Sequence, residues 1–189
     1  MREPPPPDEI RKATKDVAWE YAAMLAAAVE MTKGSWEGWC SPINHLVQEA
    51  FLVHVRNLAE FFGQPRNKGY IYAVDFYAVD FCDGWNPKKF PQGKLIRAIN
   101  TTLAHMQYSR DRASRSHVHF EGYEHLDGTV KLMRKTWTDF MKCVEPEYRL
   151  DIEEWLVKHT ASPKQTERWR VPFRELESAF DQGCDKTKP

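Results

Sequence analysis

The sequence predicts an all-α protein, an antiparallel helical bundle of four to five main helices with an irregular, aromatic-rich insertion between helices two and three. Apolar residues recur every three or four positions over long stretches, which is the period of a helix with one buried face. Strand-like alternation is confined to one short stretch. The chain has 189 residues, of which 42% are hydrophobic and 29% charged, enough for one core of ordinary domain size.

The chain is predicted to be one domain with short extensions. Residues 1–8 form a Pro-rich stub, because the proline run Pro4–Pro7 favours an extended chain. Residues 9–180 form the single helical-bundle domain, and residues 181–189 a flexible tail. Lys and Arg total 27, as do Asp and Glu. This balance excludes the strongly basic field that drives nonspecific nucleic-acid binding, so any anion site must be local.

Helices one and two have clear boundary signals. Helix one begins near Glu9, with Asp8 as its cap, and carries an apolar stripe until the next glycine. Helix two is capped by Ser41, has Pro42 at its first helical position and ends at Gly63.

The insertion and the later helices follow. In the insertion, the alternation from Tyr70 to Phe76 fits a short strand, whereas the repeated A-V-D-F pieces fit a short helix equally well. Helix three runs from about Gln92 to Arg110, and helix four from about Tyr123 to Val144. Helix five starts after Pro146 and is broken by Pro163, and a last short helix follows Pro172.

His54 is the first candidate for a functional residue. At 100° per residue it falls at the centre of an apolar face of helix two, with Asn57 on the flank. A buried imidazole without a hydrogen-bond partner costs about 1–3 kcal/mol, so His54 should meet a polar group of another helix, which we expect to be helix three. His54 and Asn57 are therefore binding candidates. The alternative is a satisfied core histidine.

The densest polar chemistry lies between residues 105 and 119. His105 sits at the edge of the core face of helix three, beside small residues. Arg110 and Arg112 near the helix end can bind a phosphate bidentately, or they can neutralise the terminal carbonyls of the helix. We take His105, Arg110 and His117 as catalytic candidates and Arg112 as a binding candidate. No H-x-x-x-H or H-E-x-x-H motif is present, and neither a metal nor a cofactor is expected.

Cysteine usage and the N-terminus predict a cytoplasmic protein without membrane contact. None of the cysteines belongs to a C-x-x-C pair, so free thiols are expected; they are Cys40, Cys82, Cys143 and Cys184. The first residues lack the basic start and apolar middle of a signal peptide. The longest apolar run, Tyr21–Val29, is too short to span a bilayer.

Two segments resemble a known group of proteins. F-L-V-H-V-R-N-L-A-E-F-F at Phe51–Phe62 and I-N-T-T-L-A-H-M-Q-Y-S-R at Ile99–Arg110 resemble small bacterial helical proteins of unassigned function. At fold level these resemble the HEPN superfamily (higher eukaryotes and prokaryotes nucleotide-binding). Ribonucleases of that superfamily carry an Arg, a polar residue and then a His after four to six residues. Arg110 and Arg112 both reach His117 within that spacing.

The resemblance implies a metal-independent ribonuclease or a toxin-type protein. A His would act as general acid and base at the ribose 2′-hydroxyl, and an Arg would stabilise charge on the phosphate. It also implies RNA and a protein such as an antitoxin as partners, and a site formed across a homodimer. Helix two supports a homodimer, since Leu52, Val53, Val55 and Ala59 lie away from its main stripe. The alternatives are a non-catalytic helical dimerisation or binding protein, or a small His-dependent metal-binding bundle.

Overall fold

A computed structural model describes residues 5–33, 42–65, 76–90, 93, 95–97, 99 and 123–160. Their helices are α1 (Pro7–Lys33), α2 (Pro42–Gly63), α3 (Ala78–Phe81), a 3₁₀ turn (Pro87–Lys89), α4 (Tyr123–Cys143) and α5 (Pro146–Thr160). Residues 93, 95–97 and 99 are also helical. The described part of the chain contains no strand, so the all-α prediction is confirmed.

The helix boundaries follow the local signals in the sequence. Pro42 and Gly63 bound α2 as predicted, and α4 and α5 begin and end close to the predicted positions. Helix α1 starts at Pro7, because the backbone amides of Glu9 and Ile10 donate to the Pro6 carbonyl. In the insertion, the A-V-D-F piece at residues 78–81 forms α3. Of the first A-V-D-F piece only Phe76 is described, and most of the predicted strand, the last short helix and the tail lie outside the described residues.

Helix α1 packs against both α2 and α5. Its pairing with α2 is antiparallel, because Glu20 contacts His54 and the earlier residue Ala13 shares a cleft with the later residue Phe61. Its pairing with α5 is parallel: Arg11 binds Asp151, and further along Trp19 meets Trp155. In a bundle of five helices that alternate in direction, the first and the fifth run the same way. Both pairings, α1 antiparallel to α2 and α1 parallel to α5, therefore agree with the predicted antiparallel bundle.

The core is rich in aromatic rings. The Phe140 ring of α4 lies 5.3–6.1 Å, centre to centre, from the rings of Phe61, Phe62, Phe81 and Trp85. The Trp85 indole also donates to the Phe62 carbonyl at 2.8 Å. Residues 76–90, the described part of the insertion, are therefore tied into the core. The largest fully buried side chains are Tyr21, Phe51, Phe62, Phe81, Phe140, Met24, Leu25, Leu52, Leu58, Met133 and Ile152.

The predicted buried face of α2 is rotated from the true one. Leu52, Val55 and Ala59, which were expected to lie away from the stripe, are buried within this chain. Their apolar character therefore does not require a second copy. Among the described side chains of α2, the large apolar ones left exposed are Leu46 at 63% and Val53 at 43%.

The expectation of free thiols is wrong for two of the four cysteines. Cys82, just after α3, and Cys143, the last residue of α4, form a disulfide with their Cα atoms 5.6 Å apart. Sequence spacing does not reveal the pair because the partners are 61 residues apart and meet only through packing. Cys40 and Cys184 lie outside the described residues.

None of the helices that the structure describes is long and apolar enough to cross a membrane.

Candidate functional site

A cleft of about 400 Å³ lies where α1 and α2 meet the two residues before α3, Phe76 and Tyr77. We call it the α1–α2 cleft. Its polar lining residues are Asp16, Glu20, Asn57, Glu60 and Gln64. Its apolar lining residues are Ala13, Val17, Leu58, Phe61, Phe76 and Tyr77. Carboxylates and aromatic rings thus share one small concave surface.

A three-residue network spans the two helices beside this cleft. The Glu20 carboxylate of α1 accepts from the His54 imidazole Nδ1 at 2.7 Å and from the Asn57 amide Nδ2 at 3.1 Å. His54 and Asn57 are three residues apart, so both lie on the side of α2 that faces Glu20. The side chains of His54 and Glu20 are only 20% and 27% exposed. Two donors from one helix therefore fix the Glu20 carboxylate in place.

The network has a defined proton arrangement. With Glu20 ionised, Nδ1 of His54 carries the proton in this contact, because an ionised carboxylate only accepts hydrogen bonds. In the neutral imidazole this leaves Nε2 as the acceptor. A carboxylate-oriented histidine is an arrangement that can accept and return a proton.

The prediction that His54 meets a polar group of another helix is confirmed, and that group is Glu20 of α1. The expected contact with helix three stays a prediction, because most of that helix lies outside the described residues. His54 also lies at the edge of the buried face of α2, not at its centre, because Leu52, Val55 and Ala59 are buried on its other side. Glu20 was missed. Glu20 lies on the flank of the α1 apolar stripe, and a polar residue at that position can face a neighbouring helix. The stripe does not show which residue of α2 lies opposite.

The cleft carries negative charge. Asp16 is exposed, Glu20 is held by the network, and Glu60 accepts from the Arg56 guanidinium at 3.1 Å. No lysine or arginine is among the described residues that line it. This lining attracts cations and repels phosphate.

The structure does not describe the predicted catalytic residues or the binding candidate Arg112. His105, Arg110, Arg112 and His117 all lie outside the described residues. Their convergence with His54 stays a prediction.

The described side chains form no cluster that could bind a metal ion. Among them, no group of three or more His, Cys, Asp or Glu side chains is placed to hold a metal ion. The other histidines of the metal-binding alternative, among them His119 and His125, have no described side-chain positions.

A second groove, of about 760 Å³, lies between α1 and α5. Here Arg11 binds Glu147 at 3.1 Å and Asp151 at 3.0 Å, so opposite charges already satisfy one another. Burial raises the pKa of the Tyr148 phenol, and the nearby carboxylates of Glu147 and Glu145 raise it further. Tyr148 is therefore a neutral phenol at physiological pH. Because its charges are already paired, this groove is a weaker candidate for a ligand-binding site than the α1–α2 cleft.

Comparison of the chain with protein-family models, curated proteins and solved structures finds no match.

Proposed function

We propose that the protein is a helical binding protein whose α1–α2 cleft takes a small organic cation, an amine attached to an apolar body. One observation carries this proposal: carboxylates and aromatic side chains line the same cleft of about 400 Å³. That volume falls within the range of roughly 300–1,000 Å³ found for small-molecule sites.

The lining suggests a role for each part of the ligand. The exposed Asp16 carboxylate would attract the ammonium group, as would Glu20, which the network already holds in position. A prepositioned group loses little conformational freedom on binding. Phe61 and Phe76 contribute apolar aromatic lining, which favours an alkyl or aryl body. An organic cation suits this lining better than a metal ion, since no metal-binding cluster lies among the described residues.

Calorimetric titration with tyramine tests the proposal. Tyramine should bind, whereas 4-hydroxyphenylacetate, which has the same ring but an acid in place of the amine, should not. Asp16→Asn should weaken tyramine binding about fivefold, because it removes an ion pair of about 1 kcal/mol near the surface. Asp139→Asn on α4, also exposed and outside the cleft, is the matched control. Equal binding of both compounds, or binding of neither at millimolar concentration, would contradict the proposal.

A metal-independent ribonuclease activity is the second proposed function. It is supported by the resemblance to the HEPN superfamily and by the spacing of Arg110 and Arg112 to His117. The Glu20–His54 pair adds a histidine with one ring nitrogen held by a carboxylate. RNA would be bound through Arg110 and Arg112, because the carboxylates of the α1–α2 cleft repel phosphate. This proposal includes a homodimer, an antitoxin-like protein partner and the cytoplasm, where RNA substrates lie.

RNA cleavage in the presence of EDTA tests the second function. His117→Ala and Arg110→Ala should each lower the cleavage rate by about a hundredfold or more, because general acid–base catalysis and charge stabilisation contribute that much. Lys158→Ala, an exposed change on α5, should leave the rate unchanged. Melting temperatures of all variants separate lost chemistry from lost folding. If the parent protein does not cleave RNA, the ribonuclease proposal is wrong.

A further inference from the structure

We propose that Cys82 and Cys143 form a reversible dithiol–disulfide couple that sets the mobility of the cleft wall made by Phe76 and Tyr77. The proposal concerns the chain's own wall segment and does not depend on which ligand the cleft takes. Two features support it: the placement of the cysteines on separate elements, and the tight turn that joins Cys82 to the wall.

The two cysteines are positioned to exchange between states without rebuilding the backbone. Cys82 follows α3, and Cys143 ends α4. Their Cα atoms are 5.6 Å apart, inside the range of about 4.4–6.8 Å that disulfides span.

Different exposure gives the cysteines different roles in exchange. Cys82 is 1% exposed, whereas Cys143 is partly open to solvent. The Cys143 thiolate therefore attacks a low-molecular-weight disulfide such as oxidised glutathione, and one glutathione thiolate leaves. The Cys82 thiolate then attacks the Cys143 sulfur and releases the second glutathione. Two protein thiols are oxidised and one glutathione disulfide is reduced to two thiols, which take up the two protons.

A rigid turn connects Cys82 to the cleft wall. The Tyr77 amide donates to the Asp80 carboxylate at 3.0 Å, and the Asp80 amide donates to the Tyr77 carbonyl at 2.8 Å. These two bonds and the single turn of α3 join residues 77–82 in one short hydrogen-bonded segment. Phe76 and Tyr77 line the α1–α2 cleft. A bond at Cys82 therefore restrains the wall of the cleft.

Other contacts keep the segment folded when the bond is absent. The Glu145 amide donates to the Phe81 carbonyl at 3.2 Å, and the Phe81 ring lies 6.0 Å from that of Tyr148. The Trp85 indole is tied to α2. The bond therefore acts on the mobility of the segment rather than on whether it folds.

Hydrogen–deuterium exchange of the full chain tests the couple. One sample is equilibrated with oxidised glutathione and one with dithiothreitol, and differential alkylation with mass spectrometry reports which cysteines are paired. When both samples are alkylated in denaturant, so that the buried Cys82 is accessible, Cys82 and Cys143 should be protected in the first sample and modified in the second. Amides of residues 77–82 should exchange at least about fivefold faster in the reduced sample. Amides in the middle of α1 serve as the internal reference and should not change.

Variants separate the couple from general effects of thiols. Cys143→Ser should show the fast exchange in both samples. Cys82→Ala, which keeps a small apolar side chain at the buried position, should do the same if the serine variant fails to fold. Cys184→Ser should behave like the parent protein. The proposal is overturned if Cys82 and Cys143 stay alkylatable in oxidised glutathione, if dithiothreitol leaves the bond intact, or if exchange at residues 77–82 is the same in both samples.

Discussion

At the scale of single residues, a change in the Glu20 carboxylate should weaken two hydrogen bonds at once. The carboxylate is the acceptor for both His54 and Asn57. Glu20→Gln keeps the shape but removes the charge, so the two hydrogen bonds to a carboxylate become weaker neutral ones, and His54 must change tautomer to keep its contact. We expect the free energy of unfolding to fall by about 1 kcal/mol, measured by urea denaturation at pH 7.

The control for this change is Glu153→Gln on α5, which is exposed and should alter stability by less than about 0.5 kcal/mol. A double-mutant cycle between Glu20→Gln and Asn57→Ala should show a coupling energy, because the two residues share a hydrogen bond. Equal effects of Glu20→Gln and Glu153→Gln would mean that the network does not stabilise the pairing of α1 with α2.

The sequence predicts part of this site and misses the rest for a physical reason. His54 and Asn57 could be singled out because polar residues on or beside an apolar helix face require partners. Glu20 could not be assigned to them, since the register of α1 against α2 depends on side-chain packing over the whole contact. The Cys82–Cys143 pair was missed for the same reason.

At the scale of helices, proline and glycine residues predicted the helix boundaries correctly. Proline lacks the N–H that a helix interior requires but is accepted in the first turn, and glycine ends helices readily. Helices therefore begin at Pro42 and Pro146, and α2 ends at Gly63. The rotation of α2 was harder to predict. This helix is apolar over more than half of its circumference, so periodicity alone permits several buried faces. Packing against the surrounding helices buries the face that includes Leu52 and Val55.

At the scale of the whole molecule, the described helices share one core, and the Phe140 ring lies at its centre. The ring is fully buried and contacts rings from α2, from the insertion and from Trp137 of its own helix. A side chain shared by so many elements makes their stability interdependent. The chain should therefore unfold in one cooperative transition, as the predicted single domain requires.

Phe140→Ala tests this interdependence. Removal of the ring should lower the free energy of unfolding by about 3–5 kcal/mol, because it removes buried surface and leaves a cavity. Circular dichroism at 222 nm, which reports on helix content, and tryptophan fluorescence, to which Trp85 and Trp137 beside the Phe140 ring contribute, should show the same shifted midpoint. Leu150→Ala, at a position 66% exposed on α5, should shift the midpoint very little. Two separated transitions in Phe140→Ala would show that the helices do not share one core, and the single-domain prediction would then be wrong.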